Sequence, residues 1–462
     1  MAPTLQRGAR RSLALDILRF ALPFLLTAEL QLLFNTVDLV VIGQFAGSMA
    51  LAAVGATTTL VNLVVNAMVN FTVGATVSVA NHVGAHNDEG IRRTTHTAFT
   101  VGLAAGAVLA VVFVAGAEGL LRLMKTPDEI LDQSVLYFRI YGLGLPAISV
   151  YNFGAAVCRG AGDSKRPLYI LTASGVLNAA LNLILVICFR WDVAGVAAAT
   201  SVSNYAAAIA MTVFLCHAKD ARRLSVRHLG VHRQTLRRIC RLGFPALAQS
   251  CLFNIANIAV QASVNTLGAA VVAGNSACSS VENFAYTGTS AIGQSAVTFI
   301  GQQIGAHEHR RIGRTVLCCL AYVWAFSWLL AGLCYLFGQP LLRLYITDNP
   351  AAMTAALGRL HFMLWTFFMC ATMDTLTNSL RGMGSSKTPM FITLFGVCIV
   401  RFLWIGLIFP RHHTLVGLYC VYPVTYSIAI ACQIVAFVVL KRRLCGHIDR
   451  EHALWLAECA SD

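Results

Sequence analysis

The chain writes one turn twice. Arg159, Gly160, Gly162, Ser164, Lys165 and Pro167 return 222 residues later as Arg381, Gly382, Gly384, Ser386, Lys387 and Pro389. Pro23 and Pro245, and Asn35 and Asn257, stand at the same offset. The "GAH" turns and the "LLRL" segments recur one residue closer, at 221. Such a chain must build two like halves, joined by the basic stretch between Lys219 and Arg241.

What each half sits in follows from charge. Only 12% of the residues are charged and 57% are hydrophobic, where a soluble domain carries about 25% charged. Apolar windows of about 20 residues mark membrane helices. Twelve are found, with cores near 17–42, 52–79, 95–117, 131–155, 167–189, 193–217, 240–266, 270–300, 315–338, 354–380, 389–409 and 414–440. The first of these reads as a span rather than a cleaved leader. The expected fold class is an all-α polytopic membrane protein, with twelve transmembrane helices in two six-helix lobes. The divisions are an N-lobe 1–217, a basic cytosolic linker 218–238, a C-lobe 239–443 and a cytosolic tail 444–462.

Six spans separate the copies, and six is even, so both halves enter the bilayer in the same direction. This predicts a pseudo-two-fold axis along the membrane normal. Most of the 34 Lys and Arg fall on the side that holds both termini: Arg7, Arg10 and Arg11, the linker, both repeated turns and Arg450. The positive-inside bias places that side in the cytosol. The net charge of +14 is therefore a topology signal with affinity for membrane lipids, and no nucleic-acid partner is expected. The cysteines show no CxxC or ligand-spaced set, so no metal is expected. No catalytic constellation points to an enzyme.

Charges inside apolar helices cost about 2.5–3.5 kcal/mol each at mid-helix, so each needs a reason. Four acids fall within spans: Glu29, Asp38, Glu282 and Asp374. Gln31, Asn35 and Asp38 share one face of the first helix, at i, i+4 and i+7. The Asp38 carboxylate could take a proton or hold Na⁺ with amide oxygens. Asn178 and Asn182 lie one turn apart on the fifth span, and Asn152 on the fourth is expected to complete a cluster with them. Asn62 and Asn66 form a ladder that either packs helices or lines a cavity. Arg401, mid-way along the eleventh span, requires a partner. An ion pair with Glu282 or Asp374 is expected, the alternative being a proton relay or a substrate contact. Glu29 points about 180° away from Asp38. Pro23 and Pro245 each remove a helix hydrogen bond and are candidate hinges.

The segment "ALPFLLTAELQLLFNTVDLVVIGQFAGSMALAAVG", with "QSAVTFIGQQIGAH" and "RGMGSSKTPMFITLFGVCIVRFLWIGLIFP", resembles the multidrug and toxic compound extrusion (MATE) family, bacterial drug-efflux branch. The resemblance spans nearly the whole chain. It implies multidrug efflux: a monomeric, cation-coupled antiporter (H⁺ or Na⁺, no other cofactor) that exports amphipathic, cationic small molecules. It also implies that Asp38 binds the coupling cation in the N-lobe. Asn182 departs from the acid often found there, leaving that site a single carboxylate. A flippase for a lipid-linked precursor is the alternative function within the wider group.

Overall fold

The computed structural model describes residues 13–459, apart from 226, 228, 344, 345, 347–349, 412 and 413. Side chains are described for these residues except 48 and 447–459. Arg7, Arg10 and Arg11, and the side chain of Arg450, lie outside that set. No strand occurs among the described residues. The first half runs α1 (Leu13–Val41), α2 (Gly47–Phe71), α3 (Val73–Gly84), α4 (Asp88–Leu123), α5 (Asp128–Leu143), α6 (Leu145–Gly160), α7 (Lys165–Asn182) and α8 (Asp192–Cys216). The second runs α9 (Arg233–Asn265), α10 (Ala269–Gly305), α11 (Ile312–Arg343), α12 (Pro350–Gly382), α13 (Lys387–Thr393), α14 (Val400–Leu403), α15 (Leu415–Tyr419) and α16 (Val421–Cys459).

Nine of the described helical stretches are long and apolar enough to cross a membrane, and the pair α5–α6, bent by 43°, makes ten. The remaining two expected spans are α10 and α12. At 37 and 33 residues they have the length, but polar and charged side chains lower their hydropathy. Those side chains point into the bundle: Asn275, Thr289, Ser295, Arg359, Thr375 and Asn378 are all buried. A helix that keeps its polar groups inside can cross a bilayer while failing a test of mean composition. The twelve spans are present, six in each half.

The chain divides into two compact units. One is Phe20–Leu247; the other begins at Ala248 and takes in the start of α1 through Arg19. The first unit has its core around Phe113, Leu121, Phe138 and Leu145, with the two phenylalanine rings stacked at 4.2 Å. In the second, Ile17 packs with Ala296, Ile300 and Leu380.

The duplication is visible in local geometry. Gly162 (φ 86°) and Gly384 (φ 82°) occupy the left-handed region in the two repeated turns, where a side chain would be strained. His86 (φ 52°) and His307 (φ 57°) do the same in the paired "GAH" turns. Helix pairing repeats as well. In the first unit Ser164 Oγ donates to the Phe20 carbonyl, 144 residues away, and Asn182 donates to Asp38 at the same separation. In the second, Gln249 donates to Thr393 and Arg401 to Asn257, again 144 residues apart.

Between the halves the basic linker folds down on the first unit. The buried Arg222 pairs with Asp163 at 3.3 Å and with Asp220 at 2.5 Å, and the Ser225 amide donates to His96 Nε2. Burial raises the Asp220 carboxyl, but hydrogen bonds and charge from Arg222 outweigh it and hold the group below the usual aspartate range.

Small residues allow the helices to approach. A Cβ on Gly74 would lie 2.3 Å from the Ile239 carbonyl oxygen, and one on Gly243 would lie 2.6 Å from that of Phe71. Both obstacles are backbone, so α3 and α9 would have to separate. Gly74→Ala is expected to cost about 1–3 kcal/mol. Gly55→Ala, with nothing within 4 Å of its new Cβ, is expected to be neutral or slightly stabilising. Thermal melts in detergent compare the two, and equal melting temperatures would refute the close-packing argument.

Candidate functional site

Asp38 lies three residues from the end of α1. Its Oδ1 accepts from Asn182 Nδ2, in a short hydrogen bond from α7. Its Oδ2 lies 3.3 Å from Thr200 Oγ1 on α8. The Thr200 hydroxyl also lies 2.9 Å from the Val196 carbonyl of its own helix, so one proton serves two acceptors. Asn178 Nδ2 reaches Thr200 at 3.4 Å, and Asn178 Oδ1 accepts from Asn182 at 3.3 Å. The ring of four is closed, and Asn182 Oδ1 is left buried without a partner among the described residues. Tyr137 and Tyr141 of α5 stand within electrostatic reach of the carboxylate.

A wide π-helical turn follows Asn182 directly, at Leu183–Cys188, and another follows the end of α1, one turn past Asp38, at Ile42–Ala46. Such turns release backbone carbonyls from the regular ladder and often accompany functional sites. With one carboxylate, two amides, a hydroxyl and a spare amide oxygen, the cluster can accept a small cation or a proton.

Of the residues read from sequence, Asp38, Asn178 and Asn182 are brought together. Asn152 is not. Its amide donates to the Ile148 carbonyl one turn back on α6, at 2.9 Å, and not to any member of the Asp38 cluster. Asn35 and Gln31 are exposed on α1 and are not among the partners of Asp38; Asn62 and Asn66 are exposed on α2. Glu29 is half-buried, and Pro23 and Pro245 lie inside α1 and α9. Thr200, Tyr137 and Tyr141 were not anticipated, because nothing distinguishes them from the other hydroxyls of apolar helices.

The second unit overturns the expected pairing of Arg401. Glu282 is held by Arg359 instead, with Nε to Oε1 at 2.9 Å and Nη2 to Oε2 at 2.6 Å. Arg359 Nη1 donates to Asn275 Oδ1, which also accepts from the Tyr419 hydroxyl. Asp374 faces the Tyr286 hydroxyl, with Arg381 as the cation that acts on it. Arg401 therefore pairs with neither acid. Its Nη1 donates to Asn257 Oδ1 at 2.5 Å, and its guanidinium lies over the rings of Phe253, Tyr422 and Tyr426. Regular helical spacing does not carry through Leu394–Ile399, where a π-helical segment turns the phase of the helix before Arg401.

A duplicated all-helical membrane bundle with polar clusters buried at mid-span is the architecture of a secondary transporter, not of an enzyme. The MatE family model matches residues 23–184 and again 245–404, one match in each half, and the chain belongs to that family. It is 26% identical to YoeA, a probable multidrug resistance protein of Bacillus subtilis, over 92% of this chain and 93% of the relative. It is 24% identical to NorM, a probable multidrug resistance protein of Thermotoga maritima, over 84% and 83% respectively. Among solved structures, the outward-facing conformation of a multidrug resistance MATE family transporter of the MOP superfamily shares its fold. The TM-score is 0.84 at 18% identity, over 94% of this chain and 96% of that one.

Proposed function

We propose that the protein is a multidrug antiporter of the bacterial inner membrane, with both termini in the cytosol. It exports amphipathic, cationic compounds in exchange for H⁺ or Na⁺. Asp38 receives the coupling ion. The observation that carries this reading is the cluster of Asp38, Asn178, Asn182 and Thr200, with its one carboxylate and one unspent amide oxygen. Either ion neutralises the carboxylate. A proton bound on Asp38 frees the Thr200 hydroxyl for Val196. Na⁺ would be shared by Asp38 and the Asn182 oxygen. The drug-resistance names of YoeA and NorM support the substrate class.

Coupling requires the ion to favour one conformation over another. Pro23 leaves α1 short of one backbone hydrogen bond, which makes that turn the place where the helix can bend. Charge at Asp38 then biases the bend.

Purified protein in proteoliposomes tests the reading. Export of a fluorescent cationic dye is followed under a pH gradient alone and under a sodium gradient alone. One of the two is expected to accelerate export severalfold. Indifference to both would defeat the coupling.

A further inference from the structure

The second unit contains two buried arginines whose surroundings differ in one respect. Arg359 spends its Nη1 on an asparagine oxygen, that of Asn275, and turns its Nε–Nη2 edge to the Glu282 carboxylate. Arg401 likewise spends Nη1 on an asparagine oxygen, that of Asn257. Its Nε and Nη2 have no hydrogen-bond partner among the described residues. Arg401 is 0% exposed and heads the largest fully buried side chains.

A guanidinium out of water needs an anion or a full set of acceptors. The rings of Phe253, Tyr422 and Tyr426, at 5.2, 4.8 and 5.8 Å, attract the cation through its flat face. They leave the in-plane N–H groups unmatched. The two acids within the spans of the unit that were candidates for it are otherwise engaged: Glu282 with Arg359, and Asp374 with Tyr286 and Arg381. The Nε–Nη2 edge is the fork that receives a carboxylate through two parallel hydrogen bonds. Arg401 also sits on the short α14, between the π-helical segments Leu394–Ile399 and Trp404–Ile408. A helix wound loosely on both sides can change phase.

We propose that this open fork is the receptor for a carboxylate on the transported compound. The exporter then takes amphipathic zwitterions, cations that also carry a carboxylate, in preference to the same molecules without the acid group. The inference rests on the antiporter reading and narrows its substrate class. The three rings supply apolar walls for the rest of an amphiphile. Because Arg401 is enclosed in this conformation, the carboxylate reaches it in another state of the transport cycle.

Two probes separate the effects: rhodamine B, a delocalised cation with a free carboxylate, and its ethyl ester. Full-length protein in phosphatidylcholine vesicles is given an ion gradient, and the ratio of acid to ester export is measured. A bidentate charged contact predicts a ratio of about ten or more, falling to about one in Arg401→Gln. Arg401→Lys keeps the charge and loses the fork, and serves if the glutamine variant fails to fold; most of the preference should vanish in it too. Ester export without an acid preference in the wild type overturns the carboxylate receptor while leaving the antiporter intact. Equal losses on both probes in the variants make Arg401 structural and overturn it as well. Absence of export for either dye under any gradient is a failure of the antiporter reading itself.

Discussion

Glu282→Gln is expected to lower folding stability by about 3–5 kcal/mol, the loss typical when one member of a buried ion pair is removed. Both partners are largely buried, with side chains 8% and 14% exposed for Arg359 and Glu282. Both guanidinium contacts are used, at 2.9 and 2.6 Å. Glutamine keeps the size and one oxygen. Its amide nitrogen then faces either Nε or Nη2, a donor against a donor, and Arg359 becomes a buried cation without a counter-ion. Asn275 still holds Nη1 but carries no charge. The pair spans α10 and α12, both lined with buried polar groups, so the loss falls on the centre of the second unit. The double variant Glu282→Leu with Arg359→Met removes both charges and is expected to recover most of the loss. Thermal unfolding in detergent decides it. A double variant less stable than either single variant would show that the pair is worth more than the desolvation it costs.

The sequence made the framework legible because its signals are steric and electrostatic rules that act locally. A glycine at Gly162 and Gly384 is required by the left-handed turn, so the duplication survives in the letters. Charges within apolar runs stand out because lipid penalises them, and Asp38, Glu282 and Arg401 were therefore conspicuous. Partners were harder to read, since they depend on rotation and depth. Arg359 also falls within an expected span, and nothing in the sequence marks it as the residue that holds Glu282. The partner of Arg401 was misassigned because both candidate acids are held by other groups, Glu282 by Arg359 and Asp374 by Tyr286 and Arg381, none of which the sequence pattern reveals. Asn152 looked like a member of the Asp38 cluster, but an asparagine can bond back to its own helix, and this one does. Thr200 was invisible for the opposite reason: serine and threonine in apolar helices usually bond back to their own turn. Thr200 does that and touches Asp38 as well.

Asp38→Asn should abolish ion-driven export while leaving the fold intact, and the geometry gives the reason for both halves. Asparagine has the size of aspartate. Its amide oxygen can keep the place of Oδ1 and accept from Asn182 Nδ2, while its NH2 takes the place of Oδ2 and donates to the Thr200 hydroxyl oxygen. Thr200 retains its bond to Val196. Stability is therefore expected to change by no more than about 1 kcal/mol. What disappears is the only carboxylate of the cluster, and with it the acceptor for H⁺ or Na⁺. Driving a two-state transporter from 1:99 to 99:1 takes about 5.5 kcal/mol of differential affinity, and a neutral ring of amides and a hydroxyl offers no site of that strength. Gradient-stimulated dye export should fall to the level of protein-free vesicles, while dye binding, read by fluorescence quenching, persists. Asn152→Ala, which removes a bond within α6 alone, should keep coupling. Wild-type rates of gradient-driven export by Asp38→Asn would remove this carboxylate from the transport cycle.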